Sequence, residues 1–270
     1  MCRHLAYVGP PEALGRLLVA PEHGLYRQSW APRHQRYGTV NADGFGVGWY
    51  AEGDPVPARY RRAGPIWADQ SFADLARVVR AGALLAAVRD ATLAGADAEA
   101  AAAPFAAGAW LFSHNGAVTG WPGTLAEPAR ALHPEDLLSL EARNDSALVW
   151  ALVLRRLRTG QEEGRALGET VREVAAAAPG SRLNLLLTGG DTITATTWGD
   201  TLWYRSLSGG GTVVASEPYD DDPRWHEVPD RTLLRASRTE VRLTALTPLD
   251  DDPADDALAP ATASTEEPRT

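Results

Sequence analysis

The chain reads as an α+β protein in which helices cover antiparallel sheets, and three observations lead there. Residues 183–246 hold a series of short β-rich runs (183–188, 192–197, 202–205, 212–216, 233–235 and 241–246) separated by turn residues. Just before them lie two amphipathic stretches long enough for stable helices, Asp145–Arg158 and 164–178. Strands and helices do not alternate as they would in a doubly wound parallel sheet, which points to hairpins.

Taken in order, residues 3–8 form a strand that ends in the turn Gly9-Pro10-Pro11. Leu14, Leu17 and Leu18 fall at helical spacing and predict a short helix over 12–19. Residues 21–40 are polar and aromatic without a period, which predicts a loop. The runs 45–51 and 58–62 form a strand pair joined by Glu52-Gly53-Asp54-Pro55. A helix over 71–80 leads into an apolar strand over 83–88 that ends at Arg89. Residues 90–108 carry an alanine run and read as loop. Apolar residues 109–113 read as a strand stopping at His114-Asn115-Gly116, because Asn-Gly is a turn signal. The helix Asp145–Arg158 has Asn144 to cap it and Gly160 to end it, and 164–178 stops at Pro179-Gly180. Gly189-Gly190-Asp191 predicts a hairpin turn. Residues 2–246 are expected to form one domain, and the acidic segment 247–270, rich in Pro, Ala, Ser and Thr, a disordered tail.

Composition removes several function classes. The formal net charge is −9, so nucleic-acid binding has no electrostatic support. All 26 basic residues are arginine, which excludes lysine Schiff-base chemistry and a P-loop lysine. A single cysteine rules out an intrachain disulfide and a Cys-x-x-Cys redox pair. The six histidines show no metal-ligand spacing, so neither a metal nor a cofactor is expected. Apolar stretches fall far short of the roughly 20 residues a bilayer requires, and no signal-peptide core follows the N-terminus. The cytoplasm, where a free thiol stays reduced, is the expected compartment.

The lone cysteine is residue 2, preceded only by Met1. Methionine trimming ahead of a small residue would leave a thiol and an α-amine on one residue. The thiolate is a strong nucleophile, and an α-amine, with an ordinary pKa of about 7.7–8.0, is well matched to a general base near neutrality. His4 is a competing base, since residues two apart on a strand share a face.

Cys2, the run Asn41-Ala42-Asp43-Gly44-Phe45-Gly46-Val47-Gly48-Trp49-Tyr50, Arg89-Asp90-Ala91-Thr92, Ser113-His114-Asn115-Gly116 and Asn144-Asp145-Ser146 occur in an order and spacing that resemble the class II glutamine amidotransferases, which are N-terminal-nucleophile hydrolases. Met-Cys-Arg-His-Leu, Gln28-Ser29-Trp30-Ala31-Pro32-Arg33, Pro65-Ile66-Trp67 and Val214-Ala215-Ser216-Glu217-Pro218 bring it closest to the branch that hydrolyses γ-glutamyl hercynylcysteine S-oxide in ergothioneine biosynthesis. The resemblance implies a four-layer αββα sandwich. It implies Cys2 as nucleophile with its own amine as base, and Asn115 and Gly116 as the oxyanion hole. It implies that Arg89 and Thr92 hold the glutamyl group and that Asp145 meets its α-ammonium. Asn144 and Asp145 also suit a helix N-terminus whatever else they do. Gly44, Gly46 and Gly48 alternate along a strand, which suggests close approach to the nucleophile strand or to a ligand. Trp30, Trp67 and Trp121 are candidates for an aromatic cage around a trimethylammonium group.

The expected partner is therefore a small-molecule γ-glutamyl substrate, with oligomeric state left open. The alternative within the same chemistry is a glutaminase delivering ammonia to a separate synthase. Two further alternatives are a silent binding protein on the same fold, against which the intact residue set speaks, and a self-cleaving acylase, for which a propeptide ahead of Cys2 would be needed.

Overall fold

The computed structural model describes residues 2–91 and 99–246. Thr92 and the segment 247–270 therefore lie outside the described residues. The strands are β1 (Arg3–Ala13), β2 (Phe45–Trp49), β3 (Ala58–Arg62), β4 (Arg80–Val88), β5 (Phe105–Ala107), β6 (Trp110–Ala117), β7 (Arg182–Thr188), β8 (Ile193–Thr197), β9 (Trp203–Ser206), β10 (Thr212–Ala215), β11 (His226–Glu227), β12 (Thr232–Ala236) and β13 (Val241–Ala245). The α-helices are α1 (Leu14–Leu18), α2 (Leu25–Gln28), α3 (Gln70–Val78), α4 (Ala126–Ala129), α5 (Pro134–Leu138), α6 (Asp145–Arg158) and α7 (Glu163–Ala177).

The strands make two antiparallel sheets, one of seven strands in the order β11-β9-β10-β1-β4-β2-β3 and one of six in the order β13-β12-β8-β7-β6-β5. The side-chain period of two sorts the core into three apolar layers. Ala6 and Val8 of β1, Leu85 of β4, Leu111 of β6 and Leu186 of β7 meet between the sheets. Leu5 and Tyr7, with Leu84 and Ala86, face the other way and pack under α1 and α3 through Leu14, Leu18 and Phe72. Phe112 and Leu185 turn outward under α6 and α7. Helix, sheet, sheet, helix is the resulting order, as the resemblance implied.

The long helices start where their caps place them. The Asn144 side chain accepts from the Ala147 N–H at 2.8 Å at the start of α6, and the Glu162 side chain accepts from the Arg165 N–H at 3.0 Å at the start of α7. None of the described helices is long and apolar enough to cross a membrane.

Several expectations are corrected. The first strand does not end at Gly9-Pro10-Pro11: β1 is irregular between Val8 and Glu12, then resumes pairing at Glu12 with Ala81. Prolines fit such an irregularity because no ladder N–H is demanded of them there. The stretch 21–40 contains the short α2, and 90–108 contains β5. Most consequentially, Asn115-Gly116 is not a turn. Strand β6 runs straight through both, with Asn115 opposite Asn184 and Gly116 opposite Leu183.

The glycines of β2 do allow a close approach, but not to the nucleophile strand, which β4 separates from β2. A Cβ on Gly46 would stand 2.4 Å from the Ala103 carbonyl oxygen, and one on Gly48 2.7 Å from Leu111. Gly48 lets the two sheets approach each other, and Gly46 admits the backbone that leads into β5. Trp30 and Trp67 meet edge to face at 5.6 Å, whereas Trp121 packs against the core beneath α6 and α7, so the three do not form one cage.

Candidate active site

Cys2 stands half-buried at the head of β1, between β4 and β10. Along β1 the even positions face the opposite sheet, and along β6 the odd positions do, so Cys2 and His4 look toward Ser113 and Asn115. The Cys2 backbone N–H donates to Asn115 Oδ1 at 3.2 Å across 113 residues of sequence. Asn115 is fully buried, and its Nδ2 points to Ser216 Oγ at 3.5 Å. Ser216 Oγ also accepts from the His4 N–H at 3.0 Å, tying the end of β10 to the nucleophile strand.

Gly116 is required by packing. A Cβ there would lie 1.9 Å from the Arg182 carbonyl oxygen and 2.7 Å from His114 Nε2. His114 itself is turned to the helix side, with Nδ1 bonded to Ser146 Oγ at 3.0 Å and Nε2 to the Arg182 carbonyl at 2.9 Å.

The two charged candidates converge on Cys2. Burial pushes the Cys2 thiol up from its ordinary value, a backbone hydrogen bond from Asp90 and the Arg89 guanidinium pull it down, and the Asp145 carboxylate pushes it up. Arg89 leaves the end of β4 and is held by a staple. Its N–H donates to the Gly44 carbonyl at 2.8 Å, its Nη1 donates to the Asp43 carbonyl at 3.1 Å, and its carbonyl accepts from the Asp43 N–H at 2.9 Å. The Asp43 carboxylate accepts from the Ala91 N–H at 2.8 Å. Asp43 therefore orders this rim. Asn41, fully buried, instead braces 28–35 through the Gln28 carbonyl and Gln35 Oε1.

Asp145 is the first residue of α6, with Asn144 as its cap. Its Oδ2 accepts from the Val118 N–H at 2.9 Å and its Oδ1 from the Ser146 N–H at 2.8 Å. The carboxylate thus locks the end of the Asn115 strand to the helix. Oδ1 also accepts from the Ser146 hydroxyl at 3.4 Å, so it is Oδ2 that keeps a second lone pair for a ligand.

A profile of the class-II glutamine amidotransferases matches residues 26–208. The chain belongs to the class-II glutamine amidotransferases. It is 43% identical over 246 residues to the gamma-glutamyl-hercynylcysteine sulfoxide hydrolase of Mycolicibacterium smegmatis, covering 91% of this chain and all of that one. The Mycobacterium tuberculosis protein of the same name is 42% identical, with 91% of this chain and 97% of that one covered. Among solved structures, a glutamine aminotransferase class-II domain protein from Silicibacter pomeroyi superposes with a TM-score of 0.64 at 24% identity over 92% of this chain and all of that one. The allosteric regulatory enzyme of purine biosynthesis reaches the same TM-score at 16% identity over 91% of this chain and 49% of that one. These two share the fold.

Within this amidotransferase, His4 is not equipped as a base. It is fully buried, its Nδ1 is bonded to Ser113 Oγ at 3.2 Å, and burial, with Arg3 and His114 adding to it, pushes its pKa down to about 3. A histidine held neutral in the fold binds fewer protons than it does unfolded, where its pKa is about 6.5. Stability from this group is therefore full above pH 6.5 and declines as pH falls toward 3, by about 2 kcal/mol between pH 7 and 5. Urea unfolding at both pH values is expected to show this loss, and a His4→Gln variant to lack most of it.

Sequence reasoning gave no role to a second set of charges beside Cys2. Arg3 is fully buried; its Nε donates to the Cys2 carbonyl at 3.0 Å, and its guanidinium lies 3.9 Å from the equally buried Glu217. Glu217 in turn accepts from the Arg33 and His34 N–H groups at 3.0 and 2.8 Å. Burial holds Arg3 below its usual value, with Glu217 and Asp200 opposing it, and pushes the Asp200 carboxyl up against the pull of Arg3, Arg182 and Arg36. Nothing local announces these pairs, since their members are scattered from position 3 to 217. Glu22, His23 and Asp221 are close enough to share a cation, but Asp221 is already paired with Arg33 at 2.6 Å.

Proposed function

We propose that the protein hydrolyses the γ-glutamyl amide of γ-glutamyl hercynylcysteine sulfoxide, releasing glutamate and hercynylcysteine sulfoxide. The observation that carries this is the bond between the Cys2 nitrogen and the Asn115 carboxamide, with Arg89 and Asp145 beside the thiol, in a chain closely similar to hydrolases of that name. The domain that does so is residues 2–246.

After loss of Met1, the Cys2 α-amine takes the thiol proton as Sγ attacks the amide carbonyl. Asn115 Oδ1 orients that amine, while Asn115 Nδ2 and the Gly116 N–H receive the tetrahedral oxygen. Arg89 pairs with the substrate α-carboxylate through its planar fork, Thr92 adds a hydroxyl to the same group, and Asp145 takes the α-ammonium. Collapse breaks the C–N bond, and the ammonium returns its proton to the departing nitrogen. Water then attacks the thioester, deprotonated by the same amine, and frees glutamate and the thiol. The substrate is a small molecule, and a reducing cytoplasm would keep the Cys2 thiol free for the reaction.

The test is intact-mass analysis of the purified protein together with glutamate release from the ergothioneine intermediate and from glutamine. Loss of Met1 and a clear preference for the larger substrate are expected. Equal or better use of glutamine would replace this reading with that of a glutaminase serving a separate synthase.

A further inference from the structure

The flanks of Cys2 are chemically different. On one, β4 delivers Arg89, and the strand after Asn115 delivers the backbone that Asp145 holds. On the other, β10 delivers Ser216 and Glu217, and β7 begins with Arg182, which is paired opposite Ala117 next to Gly116. Arg182 lies on the inter-sheet face, like Asn184 two residues along, and Asn184 faces Asn115 across the ladder. Its backbone is fixed against the Asn115 strand through His114.

The Arg182 side chain is 22% exposed and is set from two directions. Its Nε lies 3.4 Å from Asp200 Oδ2, and its guanidinium lies 4.3 Å from the ring centroid of Tyr37, an exposed loop residue. Asp200 is itself placed by Asn184, whose Nδ2 donates to the Asp200 and Thr201 carbonyls at 3.0 and 3.2 Å. The Asp200 side chain is fully buried, and neither of its oxygens has a hydrogen-bond partner among the described residues. Arg3, Arg36 and Arg182 all act on it. With Glu217 included, guanidinium groups outnumber carboxylates, so this flank favours an anion. The terminal nitrogens of Arg182 make no hydrogen bond among the described residues, which leaves them for a ligand.

A γ-glutamyl conjugate of an α-amino acid departs as an amine with a carboxylate one carbon removed from the nitrogen. The ammonia that leaves glutamine carries none. We propose that Arg182, fixed by Asp200 and covered by Tyr37, is the leaving-group subsite and binds that carboxylate, selecting γ-glutamyl amino acid conjugates over glutamine. This rests on the hydrolase reading and adds the residue that sets its specificity; Asp200 is the positioning residue.

The experiment uses the Cys2→Ala protein, which binds without turning over. By calorimetry it should bind γ-glutamylalanine roughly 10- to 100-fold more tightly than γ-glutamylethylamide, the same kind of conjugate without the carboxylate. Adding Arg182→Ala should collapse that ratio toward one, and Arg182→Lys should restore only part of it, because an ammonium lacks the bidentate fork. Equal affinities in the Cys2→Ala protein, or a ratio that Arg182→Ala leaves in place, would overturn the subsite. Should Arg182→Ala fail to fold, the comparison of the two ligands in Cys2→Ala alone decides. A ratio that behaves as expected in a protein whose Cys2 form releases no glutamate would defeat the hydrolase reading and leave the subsite standing.

Discussion

Cys2→Ala is expected to release no glutamate while melting within a degree or two of the parent. The thiol is lost together with the Asp90 backbone bond to it, whereas the Cys2 N–H to Asn115 and the Cys2 carbonyl to Arg3 both survive the substitution. Thermal unfolding and glutamate release measured on the same preparation separate the two effects. A variant that turned over at even a hundredth of the parent rate would remove Cys2 as nucleophile. An N-terminal extension that resists processing should silence the enzyme equally, because it keeps the Cys2 nitrogen in an amide with no basic lone pair. As the chain has one cysteine, thiol titration reports on Cys2 alone in both proteins.

The second large effect is expected at Asn115. Losing one oxyanion donor typically costs about 10²–10³ in turnover. Asn115→Asp keeps an oxygen for the Cys2 nitrogen and removes the N–H donor, so kcat should fall by roughly that factor with KM little changed. Asn115→Ala removes both, and the part-buried Cys2 N–H then loses its acceptor, which adds destabilisation of about 1 kcal/mol. If Asn115→Asp retained full kcat, the oxyanion role would pass to other groups.

The likeness of the chain to its relatives was legible in the order of short motifs, but their roles in space were not. Asn115-Gly116 shows why. Read locally, Asn-Gly is a turn signal, since both residues tolerate the left-handed region. In the fold neither uses that freedom. Asn115 is buried opposite Asn184, and Gly116 is there because β7 runs too close for a side chain. The same holds for Gly46 and Gly48, whose spacing announced a close approach without saying to what. Asp145 could be read as helix complement or as ligand group; the geometry shows the first use in its bond to Ser146 and adds a tie to the strand end at Val118 that no local pattern announced. Arg3, Asp200 and Arg182 had no local signature, because an ion pair has no sequence period.

By itself the sequence determined the chemical repertoire: one thiol at the start, no lysine, arginine as the sole strong cation, and helices whose caps and apolar faces are written within a few residues. Those features are local, and local propensity and periodicity decide them. The tertiary structure alone decided that the residues on either side of the thiol come from β4, β6, β7 and β10. Which strands pair, and in which register, is set by burying three apolar layers at once, and that is a property of the whole chain.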